Sequence, residues 1–289
     1  MDLQIVEWVQ AFRTEWLDAI FAWITELGDE TVFIVITGVL YWTIDKKFGY
    51  RFAMVFLGSV ILNDVLKFVI ARPRPFNQTS VSSVIEPTEG YSMPSGHAQN
   101  STIEALVIHE RYGTRRYVRL ALTTFVLLVS FSRLYLGQHY LSDVIVGILT
   151  AGLFYLLFRY VEDRVERSLS NLLLTFIPFF MLLMILVPEK NLWISVAGLV
   201  GGSLGYGIEQ RYIKFQVQAP MVIQGLKILL GLAVTIGIQE GLKIVLPYGL
   251  FTNEIVLLSL DFIRYMILVM WVTLGAPVIF KKIFQQKAA

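Results

Sequence analysis

Cysteine is absent from the 289 residues. That excludes disulfides, thiolate nucleophiles and cysteine-ligated metals. Charge is scarce as well. Asp, Glu, Lys and Arg make up 16% of the chain, against roughly 25% in an ordinary soluble domain. The net charge is only +2 and no basic run is present, so nucleic acid is not an expected partner. A basic leader is also missing: Asp2 and Glu7 stand where a cleavable signal peptide would carry positive charge. The first apolar span is therefore expected to act as the insertion signal.

What is present is hydrocarbon. Hydrophobic residues form 56% of the chain and mean hydropathy is +0.64. A soluble protein of this composition would expose large apolar patches, so the bilayer is its natural solvent. With about 20 apolar residues needed per spanning helix, hydropathy places spans at 30–45, 50–71, 95–112, 117–137, 141–160, 171–187, 191–208, 221–246 and 255–281. The expected fold is all-α: a polytopic transmembrane helical bundle of about nine spans, read as one domain over 1–289. Residues 3–26 are amphipathic, with Ile5, Val9, Phe12, Trp16, Ile20 and Trp23 at helical spacing. They form either an interfacial helix, with Trp8, Trp16 and Trp23 at headgroup level, or a helix packed on the rest of the protein.

Basic residues orient the spans. Lys46, Lys47, Arg51, Arg111, Arg115, Arg116, Arg119, Arg159, Arg164, Arg167, Arg211, Lys214, Lys281, Lys282 and Lys287 all fall on one side of a nine-span chain. The other side keeps Arg13, Lys190, Arg72 and Arg74. This predicts the N-terminus outside and the C-terminus in the cytoplasm, and the expected setting is a bacterial inner membrane.

Three polar clusters then converge on the outer face. The first is Lys67 with Arg74-Pro75; the second is Pro94-Ser95-Gly96-His97; the third is Ser132-Arg133, His139 and Asp143. Cations beside hydrocarbon are costly and usually functional. Lys67, Arg74 and Arg133 together call for a multiply charged anion, and the planar fork of arginine suits phosphate. Pro94-Ser95-Gly96-His97 opens a helix, whose free N–H groups and dipole favour an anion. Gly96 permits close backbone approach, and Ser95 adds a hydroxyl donor. His139 and Asp143 stand one helical turn apart, so a carboxylate can fix the imidazole's tautomer. His139 then offers its other nitrogen as nucleophile, and His97 can serve as general acid. Singly, each cluster has a plain structural reading: a capping histidine, a helix-stopping Arg-Pro, a snorkelling Lys67 or Arg133. Jointly, their spacing and sidedness favour a site.

The same residues resemble the signature of the type 2 phosphatidic acid phosphatase superfamily, which includes lipid phosphate phosphatases and vanadium-dependent haloperoxidases. The family pattern is Lys, six residues, Arg-Pro; then Pro-Ser-Gly-His; then Ser-Arg, five residues, His, three residues, Asp. All of it is present without substitution, over about residues 50–160, and its spacing selects Arg74 rather than Arg72. The resemblance implies that His139 attacks phosphorus to form a phosphohistidine, Asp143 orients it and His97 protonates the leaving oxygen. Lys67, Arg74, Ser95, Gly96 and Arg133 would hold the phosphoryl oxygens. It further implies no metal or other cofactor, in keeping with the lack of a carboxylate cluster suited to Mg²⁺ or Zn²⁺.

The implied substrate is amphiphilic, its tail remaining in membrane lipid: a polyprenyl diphosphate, phosphatidic acid, phosphatidylglycerol phosphate or sphingoid phosphate, with a soluble sugar phosphate as the alternative. The position of the signature within the spans is closer to sphingosine-phosphate phosphatases and glucose-6-phosphatases than to common bacterial lipid phosphatases. Two alternatives share the residues: phosphotransfer to a lipid or sugar acceptor, and lipid transport or scrambling. An intact histidine–aspartate pair argues against pure transport, and haloperoxidase chemistry fits a membrane setting least.

Residues 171–289 match no motif. Glu240 with Lys243, and Asp261 with Arg264, are three apart and can pair along their own helices. Gly198, Gly201, Gly202, Gly205 and Gly207 suit close helix packing, within the chain or at a homodimer seam. Glu104, in the third span, faces roughly as His97 does and can line the site and contact a headgroup, or pair with Lys67 or another helix.

Overall fold

The computed structural model describes residues 1–78, 80–164 and 169–284. Arg167 and Lys287, used above for orientation, lie outside the described residues. The described chain is helical, and its helices coincide with the predicted segments in order. Five are long and apolar enough to cross a membrane: Lys46–Asn77, Arg116–Tyr135, Leu141–Glu162, Met221–Leu250 and Glu254–Phe284. The remaining segments are shorter or more polar. The protein is an integral membrane protein of the all-α class.

Two compact units are distinguishable, one of residues 1–33 and 62–160, the other of 34–61 and 161–289. The first contains α1 (Asp2–Gln10), α2 (Glu15–Glu26), the end of α4 (Lys46–Ile70), α5 (Gly96–Tyr112), α6 (Arg116–Tyr135) and α7 (Leu141–Glu162) up to Tyr160. The predicted N-terminal helix is thus two helices, broken at Ala11–Thr14. One face of it packs on the rest of the unit, as one of the two expectations had it. Val6 packs with Val81 and Tyr140, and Val9 with Tyr135 and Leu136. Trp8, Trp16 and Trp23 stay exposed. The polar helix α5 is buried over most of Ala98–Ala105, which explains how so polar a segment is kept from lipid.

α4 ends where its sequence forbids continuation. Ala71 adopts a left-handed conformation with φ of 50°, and Arg72-Pro73-Arg74-Pro75 follows. Proline disfavours helix at the residue before it, and Arg74 is accordingly extended. The connection from α6 to α7 turns at Gly137, with φ of +73°. A Cβ there would lie 2.5 Å from the Ser82 carbonyl oxygen. Glycine is required at this turn on both counts.

The second unit contains α3 (Glu30–Val39) from Ile34, the first part of α4, α8 (Leu169–Thr175), α9 (Ile177–Leu186), α10 (Lys190–Ile208), α11 (Met221–Val245), α12 (Glu254–Met270) and α13 (Ala276–Phe284). The glycine face of α10 is used internally. A Cβ at Gly201 would lie 2.5 Å from the Met266 carbonyl oxygen of α12, and one at Gly202 would lie 2.8 Å from Met54 Cε of α4. α12 passes into a π-turn at Trp271–Gly275 before Pro277. Proline supplies no N–H, so the carbonyl four residues earlier loses its helical donor. That carbonyl, of Thr273, accepts instead from Tyr41 Oη at 2.9 Å, and Trp42 Nε1 donates to Val272 O at 2.8 Å.

Charges of this unit are paired or solvated by backbone. Exposed Lys243 meets Glu240 at 2.7 Å along α11, and buried Arg264 meets Asp261 at 3.2 Å along α12, each pair within its own helix as predicted. Glu209 pairs with Lys46 at 2.8 Å. Lys227 donates to Trp42 O and Val217 O.

Candidate active site

Every predicted site residue lies in the first unit, and the structure brings them together. Lys67 is in the last turn of α4, Arg74 in the following extended stretch, Ser95-Gly96-His97 at the start of α5, Arg133 near the end of α6, and His139 and Asp143 around the start of α7. Ser95 N donates to Asp143 O at 3.0 Å, which joins the second cluster to the third. A methyl group at Gly96 would lie 3.6 Å from Lys67 Nζ, which joins the first to the second. A Cβ at Gly147 would lie 2.7 Å from the Ser95 carbonyl oxygen, so α7 seats the Ser95–His97 segment by close approach.

Arg74 is 2% exposed. Its Nε and Nη2 donate to the carbonyls of Gly90 and Glu89, both at 3.0 Å, and Nη1 to that of Gln138 at 3.2 Å. Nη1 also donates to His139 Nε2 at 3.2 Å. Guanidinium has no acceptor, so Nε2 must offer its lone pair and the proton resides on Nδ1. Burial first, then repulsion from Arg74, Arg133 and Lys67, holds His139 well below the usual histidine range. Its imidazole is therefore neutral, with a lone pair free of a proton at Nε2.

Behind His139 the orienting contact differs from a direct pair. Nδ1 lies 3.6 Å from Asp143 Oδ2, too long for a hydrogen bond. Ser92 Oγ bridges them: it donates to Asp143 Oδ2 and lies 3.4 Å from His139 Nδ1, where it can accept. Tyr140 N also donates to Asp143 Oδ2, at 2.8 Å. Arg72 Nη1 donates to the other oxygen at 2.7 Å. The two arginines of Arg72-Pro-Arg74-Pro thus divide the site, one facing the aspartate and the other the histidine.

Two of the candidate site residues keep a buried donor without a partner. Ser95 Oγ and Arg133 Nε have no hydrogen-bond partner. Buried donors are rarely left unpaired, so both are available to an anionic ligand. Glu104 is also buried with both oxygens unpartnered, so the expected alternative of a pair with Lys67 is not formed. Among the described residues no group of three or more His, Asp or Glu side chains is placed to hold a metal ion. Ser92, Arg72 and Thr25, which accepts from Arg133 Nη1 at 2.6 Å, were not predicted as site residues. The repeated Arg-Pro was the one signal for Arg72; Thr25, distant in sequence from the clusters, had none.

Residues 48–167 match the PAP2 superfamily, and residues 193–288 match the transmembrane extension of PAP2 superfamily phosphatases. The chain is 30% identical over 153 residues to sphingosine-1-phosphate phosphatase 1 of Rattus norvegicus, covering 51% of this chain and 36% of that protein. It is 31% identical over 133 residues to undecaprenyl-diphosphatase of Sulfolobus acidocaldarius, covering 45% of this chain and 64% of that one. With phosphatidylglycerophosphatase B of Bacillus subtilis it shares 29% over 167 residues, 54% of this chain and 80% of the other. The matched region thus spans less than two thirds of the first two relatives.

Proposed function

Since the chain belongs to the PAP2 superfamily, we propose that it is a metal-independent membrane phosphatase that hydrolyses a lipid phosphate or diphosphate ester through a phosphohistidine. The observation that carries this reading is the 3.2 Å contact between Arg74 Nη1 and His139 Nε2. It aims the histidine lone pair at a group built to hold a phosphoryl oxygen. A phosphate entering there exchanges its oxygens for the histidine at Arg74.

Lys67, Arg74, Arg133, Ser95 Oγ and the first N–H groups of α5 hold the phosphoryl oxygens, with Gly96 giving the backbone room. Such fixed donors stabilise the spreading charge of phosphoryl transfer without reorganisation. His139 Nε2 bonds to phosphorus as the bond to the leaving oxygen breaks, and His97 protonates that oxygen. The Nδ1 proton passes no further than the Ser92–Asp143 relay, which stabilises the imidazolium character of the intermediate. Water, deprotonated by His97, then displaces His139 and releases phosphate.

The substrate class follows from similarity and setting. The relatives are named for sphingosine 1-phosphate, undecaprenyl diphosphate and phosphatidylglycerol phosphate. These, with phosphatidic acid, place a phosphate at the membrane surface with the tail in lipid. The distribution of basic residues supports an active site on the extracytoplasmic face, with the C-terminus in the cytoplasm.

The test is phosphate release by the purified chain in detergent with EDTA present, using these four lipids and glucose 6-phosphate. Release from a lipid that persists in EDTA and disappears in His139→Ala supports the reading. Absence of release from every member, or full activity in His139→Ala, overturns it. Analysis of products with an added alcohol acceptor distinguishes hydrolysis from phosphotransfer.

A further inference from the structure

The superfamily match begins at residue 48. The helices that precede it nevertheless grip the site at both ends. At one end, Asp2 accepts from Arg72 Nη2 at 2.8 Å, while Arg72 Nη1 donates to Asp143 Oδ1 at 2.7 Å. Asp2 also accepts from Ser142 N at 3.3 Å and from Ser142 Oγ, so its carboxylate sits at the N-terminus of α7, where the helix dipole favours it. Arg72 is stacked 4.0 Å over the Tyr140 ring, which limits it to this one direction. Asp2 thus holds Arg72 Nη2 and leaves Nη1 to face Asp143 Oδ1, the oxygen that does not take part in the Ser92 bridge.

At the other end stands Arg133, 1% exposed. A buried cation requires acceptors or countercharge. Thr25 Oγ1 at the end of α2 accepts from Arg133 Nη1 at 2.6 Å. Glu26 and Asp29, just beyond it, act on Arg133 electrostatically. The break after α2 also touches the second histidine: a Cβ at Gly28 would lie 3.4 Å from His97 Cδ2. Between these ends the segment is held by Val6 and Val9 in the core, and by Gln10 Nε2, which donates to Ser82 O and Tyr135 O. It is anchored well enough to transmit position.

We propose that α1 and α2 are a positioning element of the phosphoryl-transfer site, Thr25 holding Arg133 for the anion and Asp2 holding Arg72 against Asp143. The assignment of the site to phosphoryl transfer rests on the function proposed above. Thr25 and Asp2 are positioning residues and touch no substrate. Thr25 acts on anion affinity. Asp2 acts on the orientation of His139, and hence on turnover and its pH dependence.

The experiment uses the full chain in detergent and orthovanadate as the probe, with binding measured by calorimetry. Thr25→Val is expected to weaken vanadate binding roughly tenfold, the range lost with one hydrogen bond to a charged group. Thr25→Ser, which keeps the hydroxyl, is expected to bind as the wild type does. Thr25→Ala carries the same test if Thr25→Val does not fold. Asp2→Asn is expected to leave vanadate binding near wild type while lowering kcat roughly tenfold and moving the acidic limb of its pH profile. Vanadate affinity unchanged in both folded Thr25 variants lacking the hydroxyl, or unchanged kcat and pH profile in Asp2→Asn, overturns the corresponding half of the inference. If the wild type binds vanadate but cleaves none of the lipids, the proposed function fails, while the Thr25 comparison still decides whether this segment positions the anion site.

Discussion

Arg74 Nη1 donates to His139 Nε2 at 3.2 Å, a buried cation resting on the ring nitrogen that the proposed mechanism uses. Arg74→Ala is expected to lower kcat/KM by roughly 10²- to 10³-fold, the range seen when one transition-state donor is removed. Arg74→Lys should recover little, because a point charge cannot reproduce the fork that reaches Gly90, Glu89 and Gln138 carbonyls as well as His139. Steady-state kinetics on the preferred lipid decides it; an Arg74→Lys enzyme near wild type would falsify the assignment.

The depressed His139 basicity predicts a pH profile. Burial, followed by the three nearby cations, disfavours the imidazolium. The neutral imidazole therefore persists as pH falls through about 6.5, the ordinary histidine value, and, with His139 as the proposed nucleophile, the acidic limb of kcat/KM for the free enzyme should lie below it. The sign for stability is the matching one. Between the two values the unfolded chain binds a proton that the folded one does not, so this contribution is present above about pH 6.5 and is lost as pH falls below it. A pH–rate series together with melting temperatures across pH 5–7.5 checks both; the range is about the ordinary histidine value.

Ser92 separates His139 from Asp143 and provides the link between them. Ser92→Ala should lower kcat roughly 10- to 100-fold through misorientation of the imidazole, with little change in KM. The comparison with Asp143→Asn is informative: if the serine is only structural, its loss will leave kcat intact while Asp143→Asn removes activity.

Gly137 supplies the turn before His139. Gly137→Ala would require a residue with a side chain at φ of +73°, with its Cβ 2.5 Å from the Ser82 carbonyl oxygen. The expected cost is about 1–3 kcal/mol, together with loss of activity from a displaced His139. Denaturation in mild detergent measures the first and phosphate release the second.

In the other unit, Lys46 neutralises Glu209, whose side chain is fully buried. Lys46→Ala leaves that carboxylate with Phe215 N and Gln210 Nε2 as hydrogen-bond donors but without its cation. Removing one partner of a buried pair costs about 3–5 kcal/mol. A thermal melt should show the loss, and the double variant with Glu209→Gln should recover part of it.

Much of this protein follows from local sequence. Apolar runs determine where helices span, because backbone in hydrocarbon must satisfy itself within each segment. Pro73 and Pro75 end α4, and Glu240 and Lys243 pair along one helix, by rules that reach only a few residues. The eight candidate site residues can be named from the sequence because they fall in three short motifs whose internal spacing matches a family pattern. Their partners were not. Thr25 meets Arg133 across 108 residues, Asp2 meets Arg72 across 70, and Ser92 comes to His139 across 47. The break of the amphipathic helix at Ala11–Thr14 and the internal use of the α10 glycine face belong to the same class. Chemistry at one residue can be read from its type, but which donor a buried cation or carboxylate finds depends on which helices pack beside it. Close packing and the demand that buried polar groups be paired are settled in three dimensions.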